Sequence, residues 1–231
     1  MRTSETLNRL PVNRERALSA AVKLADAEGI DAVSMRNLAA LLDVVPMALY
    51  RHVAGKEDLL NGMIDVLIAE HRIPDVGDDW QQAVRERILS ARATLLRHPW
   101  ARGVLETRST RTHAVLSYMD SLAGMFIGGG FSANLTHHVM HALGHRIWGF
   151  SPEAFEGSDA LAVPADSDAQ ARLMEHLSQT YPHILAIALA ASGGAPGSGS
   201  CDEQFEFEFA LDLLLDAFAR LHAAGWSSPQ A

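Results

Sequence analysis

The sequence predicts an all-α protein with a small three-helix head at the start of the chain and a longer helical domain after it. Apolar residues recur at three- and four-residue spacing in one segment after another, which is the period of a helix. The one alternating stretch, 205–209, runs directly into a helical pattern. Prolines and glycines mark the breaks between segments. The predicted helices span 13–28, 34–41, 46–53, 56–72, 79–98, 100–108, 111–128, 132–150, 168–191 with a bend at Pro182, and 202–223.

Residues 34–53 predict two short helices joined by a tight turn. Leu38 and Leu42 fall on one face of the first helix, and Ser34 precedes that face as a side-chain cap for free backbone N–H groups. Pro46 suits the first turn of the second helix, where its missing N–H is not needed. The pair has the form of a helix-turn-helix, in which the second helix enters the DNA major groove.

The outward face of the second helix is polar, aromatic and cationic. Ala48 and Leu49 face the first helix, which leaves Tyr50, Arg51 and His52 on the other side. The alternative is a helical hairpin packed within a core. A core would leave these three polar side chains without partners, so the sequence favours an exposed face.

Residues 11–70 resemble the DNA-binding head of the tetracycline-repressor-like family of bacterial regulators. The resemblance is carried by MRNLA at 35–39, ALYRHV at 48–53 and KEDLL at 56–60. It implies a helix-turn-helix DNA-binding domain over 1–56 and a helical ligand-binding and dimerisation domain over 57–231. It also implies a ligand-responsive transcriptional regulator, here a repressor released from its operator by a small, mainly apolar organic effector.

The same resemblance implies the partners and the DNA-contacting positions. The expected partners are double-stranded operator DNA, a small-molecule effector and a second copy of the chain, with no membrane and no cofactor. Arg36 and Arg51 are the candidates for reading base edges, whereas Tyr50, His52 and Lys56 are expected to hold phosphates. The positions implied to touch DNA are Met35, Arg36, Pro46, Met47, Ala48, Tyr50, Arg51, His52 and Lys56.

Two positions depart from the family pattern. Asp43 stands at a turn position that is usually Gly, and Asp tolerates a left-handed backbone better than most residues. Val45 stands where Ser or Thr usually caps the second helix, so that helix is expected to lack a side-chain cap. Gly62, within the helix that links head and body, is expected to be a soft point.

The net charge of −9 is unevenly distributed. Residues 1–56 carry 8 Lys or Arg against 6 Asp or Glu, whereas 57–231 carry 11 against 22. Phosphate therefore repels the body and not the head, which orients the chain head-first toward DNA.

The last predicted helix is apolar around most of its circumference, with one narrow polar stripe. Such a helix must be covered on two sides, either by a second chain or within a monomeric bundle. The family resemblance favours a two-fold dimer formed with the helix at 132–150. The residues predicted for the dimer interface are Leu135, Val139, Phe207, Leu211, Leu214 and Phe218.

The middle helices concentrate aromatic, Met and His side chains, which are the usual lining of pockets in helical bundles. The predicted ligand-binding residues are Trp100, Met119, Phe126, His141, His145 and Trp148. His137, His141 and His145 at four-residue spacing also suit a metal ion. This pattern leaves open a metal-responsive regulator, a metalloenzyme, or histidines with a purely structural role, and we predict no metal.

The sequence shows no motif of an enzyme. Gly128-Gly129-Gly130 follows a helix rather than a strand, and no nucleophile elbow is present. The single cysteine, Cys201, lies in a Gly/Ser-rich stretch and fits a reducing cytoplasm. The first ten residues lack the apolar run of a signal peptide. We therefore expect a cytoplasmic protein that is not an enzyme.

Overall fold

The structure, a computed structural model, describes residues 12–72, 74, 79–107, 111–148, 166–191 and 202–229, with the backbone alone for 145–148, 188 and 191. Within these residues there are α-helices, one 3₁₀ turn at Ile30–Ala32 and no strand, as the sequence predicts. The helices are α1 (Arg14–Glu28), α2 (Met35–Leu41), α3 (Pro46–Tyr50), α4 (Lys56–Ala69), α5 (Trp80–Arg97), α6 (Trp100–Glu106), α7 (His113–Gly128), α8 (Ala133–Trp148), α9 (Ser167–Thr180), α10 (Pro182–Ala191) and α11 (Glu203–Ala223).

The head is built on one apolar core shared by α1 to α4. Leu38 of α2, Leu49 of α3 and Leu59 of α4 are fully buried in it. Local signals set the helix starts: Asn13 Oδ1 accepts from the Arg16 amide at 2.7 Å and Ser34 Oγ from the Asn37 amide at 3.1 Å. The predicted Ser34 cap is confirmed. Residues of α6 join the same core, so α4 and α6 are packed with the head.

Helix α4 lies against α1 at a glycine. A Cβ placed on Gly62 would meet the two terminal methyl carbons of Leu18 at 2.5 and 2.8 Å, closer than side chains pack. Leu18 is itself buried in the head core. Gly62 therefore allows the two helices to approach closely. The flexibility expected of α4 at this residue stays a prediction.

An aromatic cluster joins α5, α7 and the end of α11 in the first compact unit, which comprises residues 1–149 and 215–231. Ring centroids of Trp80 (α5) and Phe131 lie 4.7 Å apart, and those of Phe126 (α7) and Phe131 lie 5.3 Å apart. Phe218 of α11 packs edge-on to Phe126, and His222 stacks on Phe131. These contacts bury Phe126 completely and fix α5, α7 and the end of α11 together.

The second compact unit, residues 150–214, contains α9, α10 and the first part of α11. The predicted bend at Pro182 is a complete break between two helices: Tyr181 has φ −135° and ψ 57°. The cause is steric, because proline disfavours helical backbone at the residue before it. Asp166 begins α9 by accepting from the Ala169 amide at 3.0 Å. The loops predicted within 151–165 and at 192–200 lie outside the described residues, as does Cys201.

We expect Gly62→Ala to destabilise the fold by about 1–3 kcal/mol, the usual cost of overpacking a core. Helix propensity alone would favour alanine by about 1 kcal/mol. The matched control is Gly124→Ala in α7, where a Cβ would meet nothing within 4 Å, and this change should stabilise. The measurement is urea denaturation of both variants.

Shortening the neighbour should relieve the clash. In the background of Leu18→Ala, Gly62→Ala should cost much less than it costs alone, because the methyl groups it meets are gone. Additive effects of the two substitutions would contradict the close α1–α4 contact.

Candidate nucleic-acid interface and effector site

Helix α3 presents the outward face predicted for it. Leu49 is fully buried, whereas Met47 is 70% and Tyr50 47% exposed. Arg51 is exposed and His52 is half-buried just after the helix. Bulky and cationic side chains thus stand clear of the head core, where a DNA groove could receive them.

The turn before α3 is closed by the left-handed residue that the sequence indicates. Asp43 has φ 54°, the one positive φ at a non-glycine in the described residues. Its amide donates to the Ala40 carbonyl at 3.2 Å and the Val44 amide to the Ala39 carbonyl at 3.0 Å. This pair of bonds is a Schellman motif, so Asp43 fills the position that glycine usually takes.

Helix α3 begins without a side-chain cap, as expected from Val45. Of the positions predicted to touch DNA, most are on the surface and three are half-buried. The half-buried ones are Met35, Ala48 and His52, and Met35 packs on the head core. The exposed ones are Arg36, Pro46, Met47, Tyr50, Arg51 and Lys56.

An arginine that the sequence reasoning missed fixes the end of α3. Arg14 donates to both carboxylate oxygens of Asp58, at 2.7 and 2.8 Å, and to the His52 carbonyl at 3.0 Å. Asp58 also accepts from the Ala54 amide at 2.8 Å. The hydrogen bond to Arg14 holds the pKa of Asp58 below its ordinary value, and the same bond raises the pKa of Arg14. Because 44 residues separate the two, no local pattern could reveal the pair.

Polar contacts tie the head to α5 and α6. Asp26 of α1 accepts from Trp100 Nε1 and pairs with His98 Nδ1, each at 2.7 Å. Arg97 donates to Glu70, just after α4, at 2.7 Å. Trp100, predicted to bind ligand, therefore lies at the contact between head and body.

A buried polar cluster lies where α4 ends against α5 and α7. Arg87 of α5 donates through Nη1 to the carbonyls of His71 and Arg72, at 3.3 and 2.8 Å. Its guanidinium carbon lies 4.7 Å from the ring centroid of Tyr118, and Nη2 is 3.4 Å from Ser121 Oγ. The His71 and Tyr118 rings meet edge to face at 5.3 Å. We call these four residues, His71, Arg87, Tyr118 and Ser121, the Arg87 cluster.

Burial dominates the electrostatics of the Arg87 cluster. It lowers the pKa of His71 to about 4, with the Arg87 charge as the second cause. It raises the pKa of Tyr118 to about 12 and lowers the pKa of Arg87. At neutral pH the cluster therefore holds a neutral imidazole, a protonated phenol and one positive charge.

Three polar atoms of the cluster are buried without a hydrogen-bond partner: His71 Nδ1, Arg87 Nε and Tyr118 Oη. Buried polar atoms are nearly always paired in folded proteins, so three unpaired atoms together make this cluster a candidate binding site. The sequence reasoning missed this cluster, because an isolated arginine in an amphipathic helix gives the same pattern as a solvated one.

The other residues predicted to bind ligand lie on α7 and α8. Phe126 belongs to the aromatic cluster, Met119 is half-buried on α7, and His141 is exposed on α8. The side chains of His145 and Trp148 lie outside the described residues.

The histidines of α8 show a close pair. Ring centroids of His137 and His141 lie 4.6 Å apart on the exposed face of the helix. Among the described residues, no three His, Cys, Asp or Glu side chains are grouped so that they could hold a metal ion.

Most of the residues predicted for the dimer interface are buried within the single chain. They are Leu135, Val139, Phe207, Leu211 and Phe218. Leu214 is half-buried. The exposed apolar side chains of α11 are instead Phe205, Phe209 and Leu213, each more than half exposed.

We expect acid to destabilise the native state through His71. Its folded pKa of about 4 lies below the ordinary 6.5, so between these values the unfolded chain binds the extra proton. The free energy of unfolding should therefore fall as pH falls from 6.5 to 4, by up to about 3 kcal/mol from this group. His71→Gln should lose that part of the slope, measured by urea denaturation across this range.

Two family models match the chain. The description "Bacterial regulatory proteins, tetR family" applies to residues 17–63, and "Tetracyclin repressor-like, C-terminal domain" to residues 73–221. Together they cover the helix-turn-helix and most of the body. Within the described residues, no helix has both the length and the apolar character to cross a bilayer.

Known proteins agree with these matches. An HTH-type transcriptional regulator of Saccharopolyspora erythraea is 31% identical over 218 residues, which are 90% of this chain and 85% of the relative. The HTH-type transcriptional repressor DrrR1 of Streptomyces coeruleorubidus is 41% identical over 110 residues, covering 47% of this chain and 40% of the relative. The crystal structure of the TetR family protein ActR of Streptomyces coelicolor, in complex with actinorhodin, superposes with a TM-score of 0.69 at 23% identity, over 91% of this chain and 98% of that one. The chain therefore belongs to the tetracycline-repressor-like family and is a DNA-binding transcriptional regulator of the helix-turn-helix type.

Proposed function

We propose that this regulator is a dimeric repressor that leaves its operator when a small, mainly apolar organic effector binds at the Arg87 cluster. The observation that carries the proposal is the course of α4. Its first residue, Lys56, is exposed beside α3, and the chain just after its last turn, at His71 and Arg72, is held by Arg87. One rigid helix thus joins the DNA-facing surface to three unpaired buried polar atoms.

Coupling follows from that arrangement. An effector that binds the Arg87 cluster better in one position of α4 than in another shifts the population toward that position. Arg14 also links the first turn of α4 to the residues after α3, because it binds both Asp58 and the His52 carbonyl. A coupling free energy of about 1–3 kcal/mol, the usual size for linked sites, would release the operator.

Relatives support the direction of regulation and the existence of an effector. DrrR1 is named a transcriptional repressor, and ActR has been solved with actinorhodin bound. The matched relatives are regulators, so we propose no catalytic activity for this chain. Its site of action is the cytoplasm, where operator DNA lies.

The DNA-contacting residues should divide into two roles. Arg51→Ala should relax base preference at one operator position and cost about 1–3 kcal/mol, because bidentate pairing with guanine would be lost. Tyr50→Ala should weaken binding to specific and random DNA alike, because its hydroxyl holds a phosphate. It should also lower the slope of log affinity against log salt concentration by about one unit or less. Selection on a randomised duplex, followed by retardation assays at several salt concentrations, measures both effects.

Arg172→Ala, on α9 far along the chain from the head, is the control and should bind DNA like the wild type. An Arg51 variant with unchanged base preference would contradict the base-reading role.

The dimer proposal rests on the apolar row Phe205, Phe209 and Leu213, which α11 exposes at four-residue spacing. A row of large apolar side chains on one helix face indicates a protein contact. Phe209→Glu should leave folded monomers with much weaker operator binding, since two heads must bind together. Sedimentation of the wild type and variant at micromolar concentration is the measurement. Ala223→Glu, at the exposed end of the same helix, should remain a dimer, and a monomeric wild type would refute the proposal.

A further inference from the structure

Arg87 is a buried positive charge that has no carboxylate partner among the described residues. The Arg87 side chain lies in the interior, and the residue is 4% exposed. Its partners are two backbone carbonyls, the Ser121 hydroxyl and the face of Tyr118, and none of these carries a negative charge. Desolvation lowers its pKa, and the Tyr118 phenol opposes this shift without reversing it. Proteins rarely bury a guanidinium without neutralising it, because the loss of hydration is costly.

One edge of the guanidinium is available for a further partner. Nη1 is used by the carbonyls of His71 and Arg72. Nε has no partner, and Nη2 makes a single long contact of 3.4 Å with Ser121 Oγ. The N–H bonds on Nε and Nη2 point the same way, so this edge matches the two oxygens of a carboxylate.

Two other residues of the Arg87 cluster have groups that suit an oxygen-rich anion. Tyr118 Oη is buried without a partner and keeps its proton at neutral pH, so it is a donor. His71 Nδ1 is also unpaired, and its ring is neutral. The charged groups that act on His71 are Glu70 and Arg97 in addition to Arg87.

We infer that the effector is an organic carboxylate, held by Arg87 through Nε and Nη2. The inference rests on the proposed function, because it names the chemical class that the effector site takes. A neutral ligand would leave the buried charge uncompensated, whereas a carboxylate both neutralises it and fills the unpaired edge. The contact also reaches α4, since the same guanidinium holds the carbonyls of His71 and Arg72.

The test compares an acid with its uncharged amide. The probes are 1-naphthoate and 1-naphthamide, which have the same ring system and differ in charge at one group. Each is added at the same millimolar concentration to the full-length protein, and the melting temperature is measured. Naphthoate should raise the melting temperature of the wild type by several degrees more than naphthamide, because a ligand that binds only the folded state stabilises it.

Variants assign the effect to Arg87. Arg87→Met should abolish the difference between the two probes, and Arg87→Gln provides a second variant if the first does not fold. Arg172→Met is the control: this arginine is exposed on α9, so the difference should persist. Equal shifts with the two probes in the wild type, including no shift with either, would overturn the inference. A difference that persists in the Arg87 variants would do the same.

Operator retardation, measured separately, distinguishes this inference from the proposed function. If the protein binds operator and the amide releases it as well as the acid does, the carboxylate inference fails and the regulatory proposal stands. If naphthoate stabilises the protein through Arg87 but leaves operator binding unchanged at saturation, the site stands and its proposed regulatory role fails.

Discussion

The close contact between α1 and α4 is the constraint on which the DNA-facing surface depends. Gly62 lets Leu18 lie almost against the backbone of α4, and Arg14, one turn earlier on α1, forks onto Asp58 and the His52 carbonyl. The recognition helix is only Pro46–Tyr50, too short to be stable by itself. Its position is therefore set by its neighbours, and any movement of α4 relative to α1 must displace the end of α3.

The fold could be predicted largely from local sequence patterns, because the apolar periodicity, the capping residues and the Pro or Gly breaks of helices are all visible in the sequence. Ser34 and Asp43 act as the sequence indicates, one as a cap and the other as a left-handed turn residue. The helix break at Pro182 is harder to predict, because the apolar periodicity continues through it. Proline disfavours helical backbone at Tyr181, so two helices form instead of one bent helix.

The two proposed sites also differ in how far the sequence predicts them. The proposed recognition surface could be predicted because its residues are neighbours in sequence. The Arg87 cluster could not, since it joins the end of α4 to α5 and α7, and only the tertiary structure shows that Arg87 is buried. Phe126 illustrates the converse: an aromatic side chain suited to a pocket is used to pack α5, α7 and α11. Composition predicts what a segment can bind, whereas burial and pairing decide which residues do so.

The bond from Trp100 to Asp26 has a practical consequence. It places an indole, hydrogen-bonded to a carboxylate, at the contact between the head and the helices that follow it. Indole emission responds to the polarity and charge around the ring, so this tryptophan is an optical reporter supplied by the chain itself. If Trp80 and Trp226, which pack in other surroundings, are replaced by phenylalanine, fewer indoles contribute to the emission. Changes at this contact during DNA or effector binding can then be followed in solution without an attached dye.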